Sequence, residues 1–168
     1  MGLNVDERLL RIARTRGHSP RAERAIARFS ALGEHGGVWL AIGAAGWLLD
    51  SPRRARWRRA TVRVAGAYAL NTALKLLIRR PRPELQGLPP LAATPTRLSF
   101  PSAHACTSFA GARLYSRLGL PAPALYGLAA GLSLSRLYLG LHHPSDVLAG
   151  AALGTVVGAL GTVVEASR

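Results

Sequence analysis

Five blocks of apolar residues, set apart by arginine-rich or proline-rich connectors, constrain this chain more than any other feature. They cover residues 36–49, 60–78, 102–118, 121–139 and 144–164. About 20 apolar residues cross a bilayer as a helix. We read the blocks as five transmembrane helices, the first being short unless Leu32 and its neighbours extend it. Residues 79–100 carry five prolines and cannot be a span. Arginines crowd the first 30 residues, the connector at 53–63 and the stretch at 79–82. Basic connectors between apolar helices suit a bilayer with anionic headgroups. Counting them does not orient the chain, because they fall on both expected faces.

Composition decides against the obvious rival. A net charge of +14 would suit nucleic acid, but a nucleic-acid binder has no need of 49% hydrophobic residues in long runs. Nucleic acid is therefore not an expected partner. Cys106 is the single cysteine, so no intramolecular disulfide can form. It reads as a small buried apolar side chain. The charged N-terminus shows no secretory signal pattern.

Ahead of the blocks, apolar residues recur at helical spacing. They are Val5, Leu9, Ile12 and Ala13, then Ala22, Ala25, Ile26, Phe29 and Leu32. Ser19 and Pro20 suit the cap and first residue of the second helix. These amphipathic helices either lie on the membrane surface or pack on the rest of the chain. The expected fold class is thus all-α. It is an integral-membrane helical bundle of about five transmembrane helices preceded by amphipathic N-terminal helices. One domain is expected over residues 1–168, with an interfacial region at 1–33 and a helical core at 36–165. Gly150, Gly154 and Gly158 recur every fourth residue and line one face of the last helix for close packing. A homo-oligomer remains open.

If successive spans alternate in direction, four helix ends meet on one side. They carry Lys75 and Arg82, then Ser102 and His104, then Arg136 and His142, then Asp146. Three cations around one region suit a phosphate group. Ser102 follows Pro101 at a helix start, where backbone N–H groups favour an anion. His104 and His142 can supply a nucleophile and a proton donor. Asp146, four residues after His142, can hold one imidazole nitrogen and leave the other free. Among 21 arginines the chain has one lysine, Lys75.

At these positions the sequence resembles the type-2 phosphatidic acid phosphatase family, which shares its site with vanadium haloperoxidases. Lys75, then LLIRRP, then Arg82 and Pro83 match its first motif. Pro101, Ser102, Ala103 and His104 match the second. Ser135 and Arg136, then LYLGL, His142, HPS and Asp146 match the third. Ala103 stands where the family has glycine, which lets backbone approach phosphate closely; alanine is the smallest replacement.

The resemblance implies a lipid phosphatase that needs no metal or other cofactor. His142 would attack phosphorus and form a phosphohistidine. Asp146 would orient it, and His104 would protonate the leaving oxygen and then activate water. Lys75, Arg82, Ser102, Ala103 and Arg136 would hold the phosphoryl group. The implied partners are a lipid phosphate and the bilayer of a bacterial plasma membrane. Family substrates include phosphatidic acid, phosphatidylglycerol phosphate and prenyl phosphates or diphosphates. Small members acting on decaprenylphosphoryl 5-phosphoribose are similar in size and layout. The alternatives are a vanadate-dependent haloperoxidase, or a non-catalytic lipid-phosphate-binding or assembly protein. Outside the motifs, His143 reads as a capping or headgroup residue. His18 and His35 read as surface residues, and Arg79 and Arg80 as interfacial arginines.

Overall fold

The computed structural model describes residues 4–166, with side chains described to residue 160. Seven α-helices make up the described chain: α1 Val5–Thr15, α2 Pro20–Ala31, α3 Gly37–Leu49, α4 Arg54–Ile78, α5 Ala103–Ser116, α6 Ala122–Tyr138 and α7 Pro144–Ala166. Two 3-10 turns lie at Glu34–Gly36 and Ser51–Arg53. Among the described residues there is no strand, only isolated bridges in the loop at 79–100.

Local signals set the starts of the first two helices. The Asn4 side chain accepts from Glu7 N at 2.9 Å while the Glu7 carboxylate accepts from Asn4 N, a reciprocal cap. Ser19 caps α2 through Ala22 N, with Pro20 as its first residue, as the sequence predicts. The basic connector departs from expectation. Residues 54–59 are helical and extend α4 to 25 residues, because arginine is a good helix former and nothing there breaks the ladder.

Helix α5 forms the middle of the bundle, with ten of its 14 residues buried. Helix α7 lies along it on the glycine face the sequence marks. A Cβ at Gly150 would strike the Ser102 carbonyl, one at Gly154 the Cys106 carbonyl, and one at Gly158 the Arg113 Cβ at 2.8 Å. Backbone thus rests on backbone. Opposite, Trp39 stacks on Tyr115 with ring centroids 6.4 Å apart, and Trp57 lies tilted against the same ring at 5.4 Å. Their polar atoms are satisfied: Trp39 Nε1 donates to Ser108 Oγ, and Tyr115 Oη donates to the Trp39 carbonyl, both at 2.9 Å. Cys106 is fully buried.

The amphipathic pair packs on the bundle. Helix α1 lies against α6 and α7, and α2 against α6. Leu10 is fully buried. Arg14 donates to the Pro89 carbonyl at 2.7 Å and the Tyr138 carbonyl at 3.2 Å, tying α1 to the end of α6. Val5, Leu9 and Ile12 still face outward. His18 is a correction to the surface reading: it stacks on Tyr138 with centroids 3.9 Å apart and bonds Glu23 and the Ala13 carbonyl.

Five helices stand where five spans are expected. Among the described residues, however, no helix is long and apolar enough to cross a membrane. Helices α3, α5 and α6 have 13, 14 and 17 residues, short of the usual length. Helix α4 is long but carries five arginines and Lys75.

Candidate active site

The ends of α4 and α6, the starts of α5 and α7, the proline-rich loop and the turn after α2 close around one cleft. Lys75, Arg82, Ala103, His104, Arg136 and His142 line it, facing Glu34, His35, Tyr68, Thr72, Pro95 and Thr96. Its cavity volume is about 80 Å³, enough to admit a phosphoryl group. Six of the eight residues picked out by sequence line the cleft. Asp146 and Ser102 stand behind it, both fully buried.

His142 sits in the short link between α6 and α7. Arg82 Nη1 lies 3.2 Å from its Nε2. Arginine only donates, so Nε2 carries the lone pair and Nδ1 the proton. Nδ1 in turn faces Asp146 Oδ2 at 3.5 Å, the outer edge of hydrogen-bond range. Burial first, then Arg82, Arg136 and Lys75, pushes the imidazole down to about 3, against the opposing contact with Asp146. A neutral imidazole with its lone pair at the cleft follows for the whole neutral range.

Asp146 is held from several directions. The His143 amide donates to Oδ2 at 2.8 Å, so Asp146 caps the start of its own helix. His143 Nδ1 lies 3.2 Å from the same oxygen. Arg80 Nη1 donates to Oδ1 at 2.8 Å. The Asp146 carbonyl accepts from Ser102 N at 3.0 Å, joining the starts of α5 and α7. Ser102 Oγ is buried without a partner among the described residues.

The three cations differ in their engagement. Lys75 Nζ donates to the carbonyls of Leu98, Ser99 and Pro101 at 3.2, 3.0 and 3.1 Å. All three of its protons serve backbone, so it contributes charge to the cleft while pinning the loop before Ser102. Arg82 is fixed by the Thr96 carbonyl at 2.9 Å and the Leu141 carbonyl at 2.6 Å. Arg136 is almost wholly buried; its Nη1 donates to Ser30 Oγ at 2.8 Å. His104 Nε2 lies 3.0 Å from the Ser30 carbonyl and 3.9 Å from Glu34 Oε2.

Four residues around the site escape sequence reasoning. Ser30 serves Arg136 and His104 together. Glu34 stands inside the cleft. Arg80 is no interfacial arginine: it bridges Asp146 and Asp6, the latter at 2.9 Å, and also donates to Ser145 Oγ at 2.7 Å. Asp6 also accepts from Ser145 N at 2.9 Å, so α1 reaches the nucleophile's support. The left-handed cap at Arg79, φ +55°, turns the chain so that Arg80 points inward; no sequence pattern announces it. Among the described residues no three His, Cys, Asp or Glu side chains gather to hold a metal.

The sequence and the fold have counterparts. The PAP2 superfamily model matches residues 57–167. The chain is 41% identical over 140 residues to decaprenylphosphoryl-5-phosphoribose phosphatase of Mycobacterium tuberculosis, covering 83% of this chain and 78% of that one. Its fold is similar to that of Aquifex aeolicus LpxE, with TM-score 0.81, 23% identity and 96% of each chain covered. It is also similar to a transmembrane PAP2 type phosphatidylglycerolphosphate phosphatase from Bacillus subtilis, with TM-score 0.76 and 23% identity over 96% of this chain and 85% of that one. Motifs, cleft and relatives agree: the chain belongs to the PAP2 superfamily.

Proposed function

We propose that this phosphatase sits in a membrane and removes the terminal phosphate of a prenyl-linked phosphoribose, or a closely related lipid phosphate, through a phosphohistidine on His142. The observation that carries the chemistry is His142 Nε2, 3.2 Å from Arg82 Nη1, at a cleft lined by Lys75, Arg82 and Arg136. The imidazole lone pair attacks phosphorus. The three cations, with backbone N–H groups at the start of α5, balance the charge that spreads over the phosphoryl oxygens. Asp146 stabilises the positive charge that develops on the ring. His104, as an imidazolium once the substrate's anion is bound, gives up its Ser30 carbonyl for the leaving oxygen, transfers its Nε2 proton to it and becomes neutral, and then recovers a proton from the water that frees His142. The chain's own cations supply the charge that a metal supplies elsewhere.

The lipid part of the reading rests on the name of the 41%-identical relative and on the outward face of the bundle. Leu48, Leu49, Val62, Leu76, Leu77, Leu148 and Leu160 are each more than half exposed, a belt that suits acyl chains better than water. In the five-helix reading, α3 to α7 are the spans and α1 and α2 lie at the interface.

The test is phosphate release by purified protein from prenylphosphoryl 5-phosphoribose, phosphatidic acid and a prenyl diphosphate, with and without chelator. The expected result is chelator-resistant release, highest on the phosphoribose, and abolished in His142→Ala. Full activity in His142→Ala would overturn the mechanism; indifference to the phosphoribose would overturn the substrate.

A further inference from the structure

Half of the cleft wall lies outside the residues assigned to the phosphoryl group. Lys75, Arg82, Ala103, His104, Arg136 and His142 are the residues assigned to the phosphoryl group and its chemistry. Glu34, His35, Tyr68, Thr72, Pro95 and Thr96 complete the wall. No leucine, valine or isoleucine stands among them, so this part of the wall is not built for the hydrocarbon of a simple lipid phosphate. A second phosphate suits it no better, since the Glu34 carboxylate repels an anion.

What Glu34, Thr72 and Tyr68 offer is hydrogen-bond acceptors. The Glu34 carboxylate accepts only. The Thr72 hydroxyl spends its proton on the Tyr68 carbonyl at 2.9 Å and keeps its lone pairs. Tyr68 Oη lies 2.7 Å from His35 Nδ1; with the phenol donating, its lone pairs also remain. Groups that donate hydrogen bonds and carry no charge fit such a wall, and sugar hydroxyls are the simplest of them.

The backbone is strained to set this part of the wall. His35 takes a left-handed conformation, φ +51°, followed by Gly36 at φ +74°. A non-glycine residue there is uncommon and is kept where surrounding structure holds it. The His35–Tyr68 bond holds it, fastening the turn to α4. That arrangement keeps Glu34 in the cleft.

We infer that Glu34, Tyr68 and Thr72 form a subsite for the vicinal hydroxyls of a sugar whose phosphate occupies the cationic cradle. The subsite favours a sugar-linked phosphate over phosphatidic acid or a diphosphate. This rests on the phosphatase reading above and names residues that make its selectivity.

The experiment compares prenylphosphoryl 5-phosphoribose, its 2,3-dideoxyribose analogue and phosphatidic acid. The wild type should lose about tenfold or more in kcat/KM on the dideoxy analogue, a loss on the substrate side that needs no variant. Glu34→Gln and Tyr68→Phe should each lower kcat/KM on the phosphoribose by about tenfold. Tyr68→Phe should leave hydrolysis of phosphatidic acid within about twofold, which also shows that it folds. Glu34 lies 3.9 Å from His104 Nε2, so Glu34→Gln is read by the ratio of its rates on phosphoribose and dideoxy analogue, which should fall toward one. Equal losses on all three substrates would overturn the subsite and leave the phosphatase standing. Equal wild-type rates on phosphoribose and dideoxy analogue would do the same, even if no variant folds. Wild-type activity on phosphatidic acid alone would remove the sugar substrate and the subsite together. Release from none of the three would remove the phosphatase reading itself.

Discussion

The Ser30 hydroxyl accepts from Arg136, meets Ser135 Oγ at 2.9 Å, and stands on a residue whose carbonyl holds His104. Replacing it with alanine leaves the carbonyl in place but strips a buried guanidinium of its partner. Losing one partner of a charge-assisted bond costs about 1–3 kcal/mol. Ser30→Ala should therefore raise KM about tenfold with a smaller change in kcat, read from phosphate-release kinetics; an unchanged KM would sever Ser30 from the phosphate cradle. Gly33 constrains the same histidine from the other side. A Cβ there would lie 2.7 Å from His104 Cδ2, so Gly33→Val should displace the ring and cost at least about tenfold in kcat, with helical content by circular dichroism unchanged. The depressed His142 predicts an effect of pH on stability. Its folded value is about 3, and an unfolded histidine titrates near 6.5. Between those values the unfolded chain binds a proton that the native ring refuses, so stability falls as pH drops through that window and is unaffected above it. Thermal midpoints measured from pH 7 to pH 4 should fall more steeply for the wild type than for His142→Gln. Parallel curves would show that the ring is not held neutral.

Helix contacts in this bundle depend on what is absent from side chains. Helix α7 can approach α5 only because Gly150, Gly154 and Gly158 present no Cβ to it. Gly154→Leu would drive a side chain into the Cys106 carbonyl, and overpacking of this kind costs about 1–3 kcal/mol or more. The shift would also move Asp146, whose carbonyl bonds Ser102 N, so stability and activity should fall together in a thermal melt and a phosphate-release assay. This contact was legible from the four-residue spacing alone, as were the N-cap of α2 and the separate apolar blocks. The cleft was legible too, because each motif carries its chemistry at a helix end. Ser30, Arg80 and Asp6 were not. Their bonds cross 106, 66 and 139 residues to Arg136, Asp146 and Ser145, and a bond of that reach leaves no local pattern. Arg79 and Arg80 look alike in sequence; a left-handed cap sends one out and the other in. Asp6→Asn should loosen α1 from Arg80. Because the pair is partly exposed, the expected loss is small, about two- to fivefold in kcat, and absent if α1 serves only the surface.

At the scale of the whole molecule, two properties pull apart. The chain carries +14 charges, which would suit a peripheral protein held to anionic lipid by electrostatics alone. Such a protein leaves membranes in high salt, because screening shortens the reach of its charges to a few ångströms. The outward faces of the helices argue for a different attachment. Leu49 is 87% exposed, Leu77 77% and Leu148 71%, and they lie on three helices. Apolar area on that scale, if wet, would favour aggregation; in lipid it needs no further partner. In the proposed membrane reading, the short α3, α5 and α6 would need a bilayer that thins around them, at a cost of a fraction of a kcal/mol per ångström of mismatch. The arginines at the start of α4 would then extend their heads to the headgroups while their stems stay apolar. Membranes from expressing cells should therefore keep the protein through washes with 1 M salt and alkaline carbonate and release it to mild detergent. Release by salt alone would make the attachment electrostatic and leave α3 to α7 outside the bilayer. Retention together with monodisperse, active protein in detergent would place the cleft at the lipid surface, where the phosphate of a membrane-held substrate can reach His142 while its chain stays in the bilayer.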